Sequence, residues 1–107
     1  MKIYNLDDIS SPQDLSHDNV IYDFYANWCG PCKNLTKSIE LLSDENTFKD
    51  VAVLKINVDQ HSALAQKYGV RSLPTLVFTK SGKTIKKKIG VLSKNDLTFM
   101  IQETYES

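Results

Sequence analysis

The chain has 107 residues, of which 41% are hydrophobic and 24% charged, enough to bury a core without disulfide or metal staples. Thirteen basic residues balance thirteen acidic ones, so charge alone offers no attraction to nucleic acid or a membrane surface. No segment has the roughly 18 apolar residues of a membrane span, and acidic residues interrupt the N-terminus where a signal peptide is apolar. We therefore expect one domain over residues 1–107, a cytoplasmic monomer that contacts neither nucleic acid nor membrane.

The first half of the chain predicts a strand–helix–strand unit. A weak helix is predicted over residues 11–16, with Pro12 in its first turn. Residues 20–26 are apolar on both faces of a strand, which is typical of a central strand covered by helices on both sides. A helix then runs to about Ser43, and residues 51–58 form a second buried strand. The helix carries an apolar stripe at helical spacing: Cys32, Leu35, Ile39 and Leu42.

The second half predicts a mixed sheet. Because strand, helix and strand lie within about forty residues, the first two strands should be parallel, with a right-handed crossover. Asp59 suits the N-cap of a helix over 60–68, and Gly69 suits its C′ position. The remaining predicted elements are a strand over 75–80, a tight turn at Ser81-Gly82, an antiparallel strand over 84–91, and a helix that begins after Ser93.

Two cysteines, Cys29 and Cys32, stand at the predicted start of the first long helix. In a reducing compartment such a pair is redox-active or metal-binding rather than structural. Cys29 precedes the first turn, where unpaired N–H groups favour a thiolate, and Pro31 is tolerated because the N–H it lacks would be unpaired. The spacing predicts an exposed nucleophile, Cys29, and a shielded resolving thiol, Cys32, close enough for a disulfide.

The residues between the cysteines bear on the direction of exchange. Gly30 and Pro31 carry no charge, so no adjacent cation adds to the stabilisation of the thiolate. Each unit by which a thiol pKa falls makes the pair a stronger oxidant by roughly 30 mV. We therefore expect a reductant rather than a strong oxidant.

A Cys-x-x-Cys pair alone is a weak signal, and half of a zinc site is the alternative. Four ligands would require His17 and His61, which show no ligand-like spacing to each other or to the cysteines. We therefore expect no metal. Because the dithiol is itself the redox centre, we also expect no bound cofactor.

Residues 23–33, Asp-Phe-Tyr-Ala-Asn-Trp-Cys-Gly-Pro-Cys-Lys, closely resemble the active-site segment of thioredoxins. The similarity extends to residues 68–75, Tyr-Gly-Val-Arg-Ser-Leu-Pro-Thr, and to Ser81-Gly82 and 89–91. The resemblance implies the thioredoxin fold, an α/β structure with a central mixed sheet flanked by four α-helices. It also implies a protein disulfide reductase, a thiol–disulfide oxidoreductase whose partners are protein disulfide substrates and an NADPH-dependent thioredoxin reductase.

The resemblance implies catalytic roles for two charged residues as well. Asp23 resembles the family's buried carboxylate, which moves protons to and from Cys32, and burial in an apolar strand should raise its pKa toward neutrality. The alternative is a structural, hydrogen-bonded aspartate. Lys55 resembles the lysine near that carboxylate, and a lysine whose ammonium reaches solvent is the alternative. The expected catalytic set is Cys29, Cys32, Asp23 and Lys55.

By the same resemblance, an extended substrate segment docks around Cys29. Pro74 resembles the family's cis-proline, and the Leu73 backbone beside it would hydrogen-bond the substrate. Asp59 resembles the residue that holds the Trp28 indole, although helix capping explains it equally well, and Gly90 could be only a strand-end turn residue. The expected substrate-binding residues are Trp28, Gly30, Pro31, Leu73, Pro74, Gly90 and Val91.

One departure from the family pattern concerns the active-site helix. Lys37 stands where many thioredoxins carry a proline that kinks this helix. The helix is therefore expected to be straighter, which bears on the depth and reactivity of Cys32.

Two other functions compete with the reductase. In a thioredoxin-like binding subunit the cysteines would be dispensable, and a basic cluster could contact an acidic partner. That cluster comprises Lys83, Lys86, Lys87 and Lys88, and lysines that discourage pairing at a sheet edge explain it better. The second alternative is an oxidase or isomerase for secreted proteins. That function needs an oxidising compartment and usually a different dipeptide between the cysteines, and the sequence indicates neither.

Overall fold

Five strands form one mixed sheet in the computed structural model, which describes residues 1–106. The strands are β1 (Lys2–Asn5), β2 (Asn19–Tyr25), β3 (Val51–Asn57), β4 (Thr75–Lys80) and β5 (Lys83–Ile89). Their order across the sheet is β1-β3-β2-β4-β5. The pairs β1–β3 and β3–β2 are parallel, and the pairs β2–β4 and β4–β5 are antiparallel. The predicted parallel pairing of β2 with β3 and the predicted mixed sheet are both confirmed.

Three α-helices occur within residues 1–106, namely α1 (Gly30–Asp44), α2 (Ser62–Lys67) and α3 (Lys94–Tyr105). The side chains of α1 and α3 pack against one face of the sheet, in a cluster with Ile21 and Phe78. Those of α2 pack against the other face, in a cluster with Tyr22 and Phe24. Both faces of the central strands are therefore covered, which explains why β2 is apolar on both sides.

The expected number of four flanking α-helices is wrong for the described part of the chain. The weak helix predicted over 11–16 is a single 3-10 turn, Pro12–Asp14. The Ser11 backbone N–H donates to Asp14 Oδ2 over 3.0 Å, and the chain is extended again at Leu15. One turn fixes too few hydrogen bonds to propagate an α-helix.

The first strand and the start of α2 also differ from the predictions. Strand β1 was not predicted, because four residues at an edge carry too short a pattern to recognise. Helix α2 has His61 at its N-cap rather than Asp59, and the His61 side chain makes no capping hydrogen bond. The other predicted ends hold: Gly69 follows α2 with a φ of +66°, and Ser93 Oγ accepts from the Asp96 N–H over 3.1 Å.

The hairpin between β4 and β5 turns at the predicted dipeptide. Ser81 and Gly82 both have positive φ, 51° and 82°, which suits the tight turns that join antiparallel strands. None of the helices within residues 1–106 is long and apolar enough to cross a membrane.

The two faces of α1 provide a matched stability test. Leu35 is fully buried in the core, whereas Leu41 on the same helix is 57% exposed. Leu35→Ala should lower the free energy of unfolding by about 2–5 kcal/mol, because it leaves a cavity. Leu41→Ala should change it by less than about 0.5 kcal/mol. Urea denaturation of the oxidised protein measures both, and equal losses would contradict the assigned faces.

Candidate active site

The two cysteines lie where β2 ends and α1 begins, and they form a disulfide with a Cα–Cα distance of 5.3 Å. Cys29 is the N-cap of α1 with an extended backbone, and its Sγ accepts from the Cys32 N–H over 3.2 Å. Gly30 and Pro31 fill the first helical positions, where proline is tolerated. A negative charge that develops on Cys29 Sγ would therefore face the unpaired N–H groups of a helix.

The prediction that Cys29 is exposed and Cys32 is shielded is wrong for the disulfide form, in which both cysteines are buried. Cys29 is 5% exposed and Cys32 is 3% exposed, because both pack in a cluster with Ala26, Val58 and Leu73. The two cysteines differ instead in the surface clefts that they line. Cys29 lines a groove of about 540 Å³, and Cys32 lines a separate cleft of about 350 Å³.

The groove beside Cys29 has a largely apolar wall. It brings together four of the predicted substrate-binding residues, Trp28, Gly30, Pro31 and Leu73. It also contains residues that the sequence did not single out: Val58, Ala65, Val70 and Arg71. Val70 and Arg71 stand directly before the Ser-Leu-Pro-Thr segment, which is the signal that could have identified them.

The remaining predicted substrate-binding residues, Pro74, Gly90 and Val91, do not line this groove. Pro74 is buried, and the Leu73–Pro74 peptide is cis, as the resemblance implies. The Gly90 N–H donates to the Pro74 carbonyl over 2.9 Å. Gly90 has a φ of +103°, a conformation that favours glycine. Val91 after it is an exposed apolar residue, with 44% of its surface accessible.

Trp28 lines the groove, and its indole makes one hydrogen bond to a neighbouring side chain. The indole Nε1 donates to Asp59 Oδ2 over 3.0 Å, and 72% of the residue is exposed. Of the two interpretations of Asp59, the hydrogen bond to Trp28 is therefore the correct one. A large exposed aromatic ring in a fixed orientation next to Cys29 suits contact with an apolar segment of a partner.

Asp23 is the buried charged group of the site. It is 1% exposed, it is opposite Lys55 in the register of β2 and β3, and its Oδ2 lies 3.4 Å from Lys55 Nζ. Burial raises the pKa of the Asp23 carboxyl above its ordinary value of 3.8, and the positive charge of Lys55 partly opposes that rise. The carboxyl therefore holds its proton to a higher pH than an exposed aspartate.

The cleft beside Cys32 opens on the side of the sheet that carries Lys55. Its wall includes Cys32, Thr36 and Lys55, together with Tyr25 and Lys37. Lys37 lies inside α1, which runs from Gly30 to Asp44 as one helix. The departure from the family's helix proline is therefore compatible with an intact helix.

The alternative to a redox pair is a zinc site, and the alternative to a protected sheet edge is a lysine cluster that contacts an acidic partner. Within residues 1–106, no group of three or more His, Cys, Asp and Glu side chains is arranged to hold a metal ion. In the basic cluster, Lys86 pairs with Glu103 over 2.6 Å, and Lys87 donates to the carbonyls of Tyr68 and Gly69. Two of the four lysines are thus engaged by the chain itself.

The comparisons with known proteins agree on one family. The family model for thioredoxin matches residues 6–103. The thioredoxin of Chlamydia caviae is 43% identical over 84 residues, 78% of this chain and 80% of the relative. The thioredoxin of Rickettsia felis is 44% identical over 85 residues, 79% and 80% of the two chains. A solved mutant thioredoxin from Halobacterium salinarum superposes with a TM-score of 0.79 at 38% identity, covering 99% of this chain and 92% of that one.

A mixed sheet between helices, with a Cys-x-x-Cys disulfide at the N-terminus of the first α-helix, defines a thiol–disulfide oxidoreductase. The chain belongs to the thioredoxin family.

The raised pKa of Asp23 predicts how stability changes with pH. Between pH 3.8 and the raised pKa, the folded protein binds more protons than the unfolded chain does. The free energy of unfolding therefore falls as pH rises through that window. Asp23→Asn removes the buried charge, so the variant should be more stable than wild type at pH 8, with the difference shrinking toward pH 4.

Urea denaturation of the oxidised protein at several pH values checks this expectation. Asp8→Asn, at an exposed position, serves as the control and should follow the wild-type profile. An Asp23→Asn variant that is less stable than wild type at pH 8, or equally stable at every pH, would show that burial does not destabilise the charged form.

Proposed function

We propose that this protein is a general protein disulfide reductase in which Cys29 attacks the substrate and Cys32 resolves the intermediate. The position of Cys29 as the N-cap of α1 carries the assignment, because only this sulfur both faces the helix N–H groups and lines the groove. Trp28 and Leu73 in the same groove provide the docking surface.

The proposed reaction consists of two exchanges. The Cys29 thiolate attacks one sulfur of a substrate disulfide, so a Cys29–substrate disulfide forms and the other substrate sulfur leaves as a thiolate. Cys32 then loses its proton and attacks Cys29 Sγ, which forms the Cys29–Cys32 disulfide and releases the second substrate thiolate. The substrate is reduced by two electrons, and the protein is oxidised by the same two.

Asp23 is the proposed proton acceptor for Cys32. A general base works best when its pKa lies near the working pH, and burial moves the carboxyl in that direction from 3.8. Lys55 at 3.4 Å limits the shift. Asp23 lies on the face of β2 that α1 covers, since side chains alternate along a strand and Ile21 packs against that helix.

The dithiol is regenerated, in this proposal, by an NADPH-dependent thioredoxin reductase that docks on the same groove. The protein acts as a cytoplasmic monomer and a single domain, without nucleic acid, membrane, metal or cofactor. Membership of the thioredoxin family supports a reductase as partner, and a reductase must reach the same disulfide as the substrate does.

Two cysteine variants test the order of attack. Cys32→Ser should retain the attacking sulfur and accumulate a mixed disulfide with a protein substrate through Cys29, whereas Cys29→Ser should trap nothing. The measurement is non-reducing gel electrophoresis with mass spectrometry, next to NADPH-coupled reduction of a protein disulfide by wild type and purified thioredoxin reductase. If Cys29→Ser forms the mixed disulfide instead, the roles of the two cysteines are reversed. If wild type shows no turnover and Cys32→Ser traps no substrate, the proposed function is refuted.

A further inference from the structure

The ammonium of Lys55 contacts three groups. It donates to Thr36 Oγ1 on α1 over 2.5 Å, lies 3.4 Å from Asp23 Oδ2, and stands 4.5 Å from the centre of the Tyr25 ring. The hydrogen bond to Thr36 is the shortest of these contacts. A strand residue is thus tied to the helix that carries Cys32.

The electrostatic stabilisation of the Asp23 carboxylate depends on the position of the Lys55 ammonium. Neither carboxylate oxygen accepts a hydrogen bond of normal geometry from residues 1–106, so Lys55 is the favourable charge at close range. The Lys55 side chain is flexible and 16% exposed, and lysines readily turn their ammonium toward water. A further hydrogen bond to the ammonium would favour the position beside the carboxylate over one in water.

We propose that Thr36 is a positioning residue: its hydroxyl holds the Lys55 ammonium beside Asp23. The inference rests on the proposed role of Asp23 as proton acceptor. Thr36 follows Cys32 by four residues and so lies one turn along the same face of α1. A threonine hydroxyl oxygen can accept a hydrogen bond from an ammonium, and the Thr36 oxygen accepts one from Lys55.

Other charged groups near this cleft act more weakly on Asp23. From α1, Lys33, Lys37 and Glu40 line the cleft, but all three are exposed, so water screens their charges. From α1 Cys32 also lines the cleft, and from β4 the residue opposite Asp23 is the apolar Leu76. From β2 itself Tyr25 contributes its ring. Displacement of Lys55 should therefore change the pKa of Asp23 more than displacement of any of these exposed groups.

The test replaces the hydroxyl without changing the shape of the side chain. In Thr36→Val the ammonium loses its acceptor and turns toward solvent, so the pKa of Asp23 should rise by about half a unit to one unit. Carbon-13 NMR titration of the Asp23 carboxyl in the oxidised protein measures it. Thr36→Ser, which restores the hydroxyl, should return the wild-type titration, and Thr36→Ala should repeat the Val result.

The matched control is Thr98→Val on α3. Its hydroxyl donates to the Lys94 carbonyl over 2.8 Å within the same helix, so its loss should leave the Asp23 titration unchanged. An unchanged or lowered pKa in both Thr36→Val and Thr36→Ala would overturn the proposal, since a lowered value means that Thr36 draws Lys55 away. The titration needs no substrate, so a shifted pKa in a protein that reduces no disulfide would contradict only the proposed function.

Discussion

Asp23 places an ionisable carboxyl inside the central strand of the sheet, where 1% of the residue is exposed. Removing a carboxylate from water is costly unless an opposite charge or hydrogen bonds compensate it. The pairing of β2 with β3 supplies Lys55 directly opposite, and α1 covers the same face and supplies Thr36. The pairing of β2 with β3 and the position of α1 therefore determine the surroundings of this one buried carboxyl.

The topology explains why the reactive groups assemble at one edge. Cys29 follows the carboxyl end of β2, and Asp59, which holds Trp28, follows the carboxyl end of the parallel neighbour β3. Strand β4 runs antiparallel to β2, so Pro74, just before it, lies at the same edge. Loops at the carboxyl ends of parallel strands are common places for binding sites. Three segments distant in sequence thus form one groove around a single sulfur.

The sequence predicted most of this arrangement, because long buried strands, an amphipathic helix and a Gly-Pro pair between cysteines are strong local signals. It did not predict β1, whose stability comes from pairing with β3, nor the short 3-10 turn at Pro12. It also assigned Cys29 too much exposure, since neighbours such as Val58 and Leu73 arrive from distant segments. Contacts of Lys55 with Thr36 and Tyr25 depend on side-chain positions that no spacing rule encodes.

In the proposed mechanism, the Asp23 carboxylate accepts the proton of Cys32 when the mixed disulfide is resolved. Mixing the reduced protein with a small aromatic disulfide tests this step, because one thiol leaves when Cys29 attacks and the second leaves when Cys32 resolves the mixed disulfide. The rate of release of the second thiol is followed against pH. Wild type should show a release rate that rises as the Asp23 carboxyl ionises, and Asp23→Asn should lose that rise and react more slowly near neutral pH. The same pH profile and the same rate in both proteins would contradict the role of Asp23 as the proton acceptor.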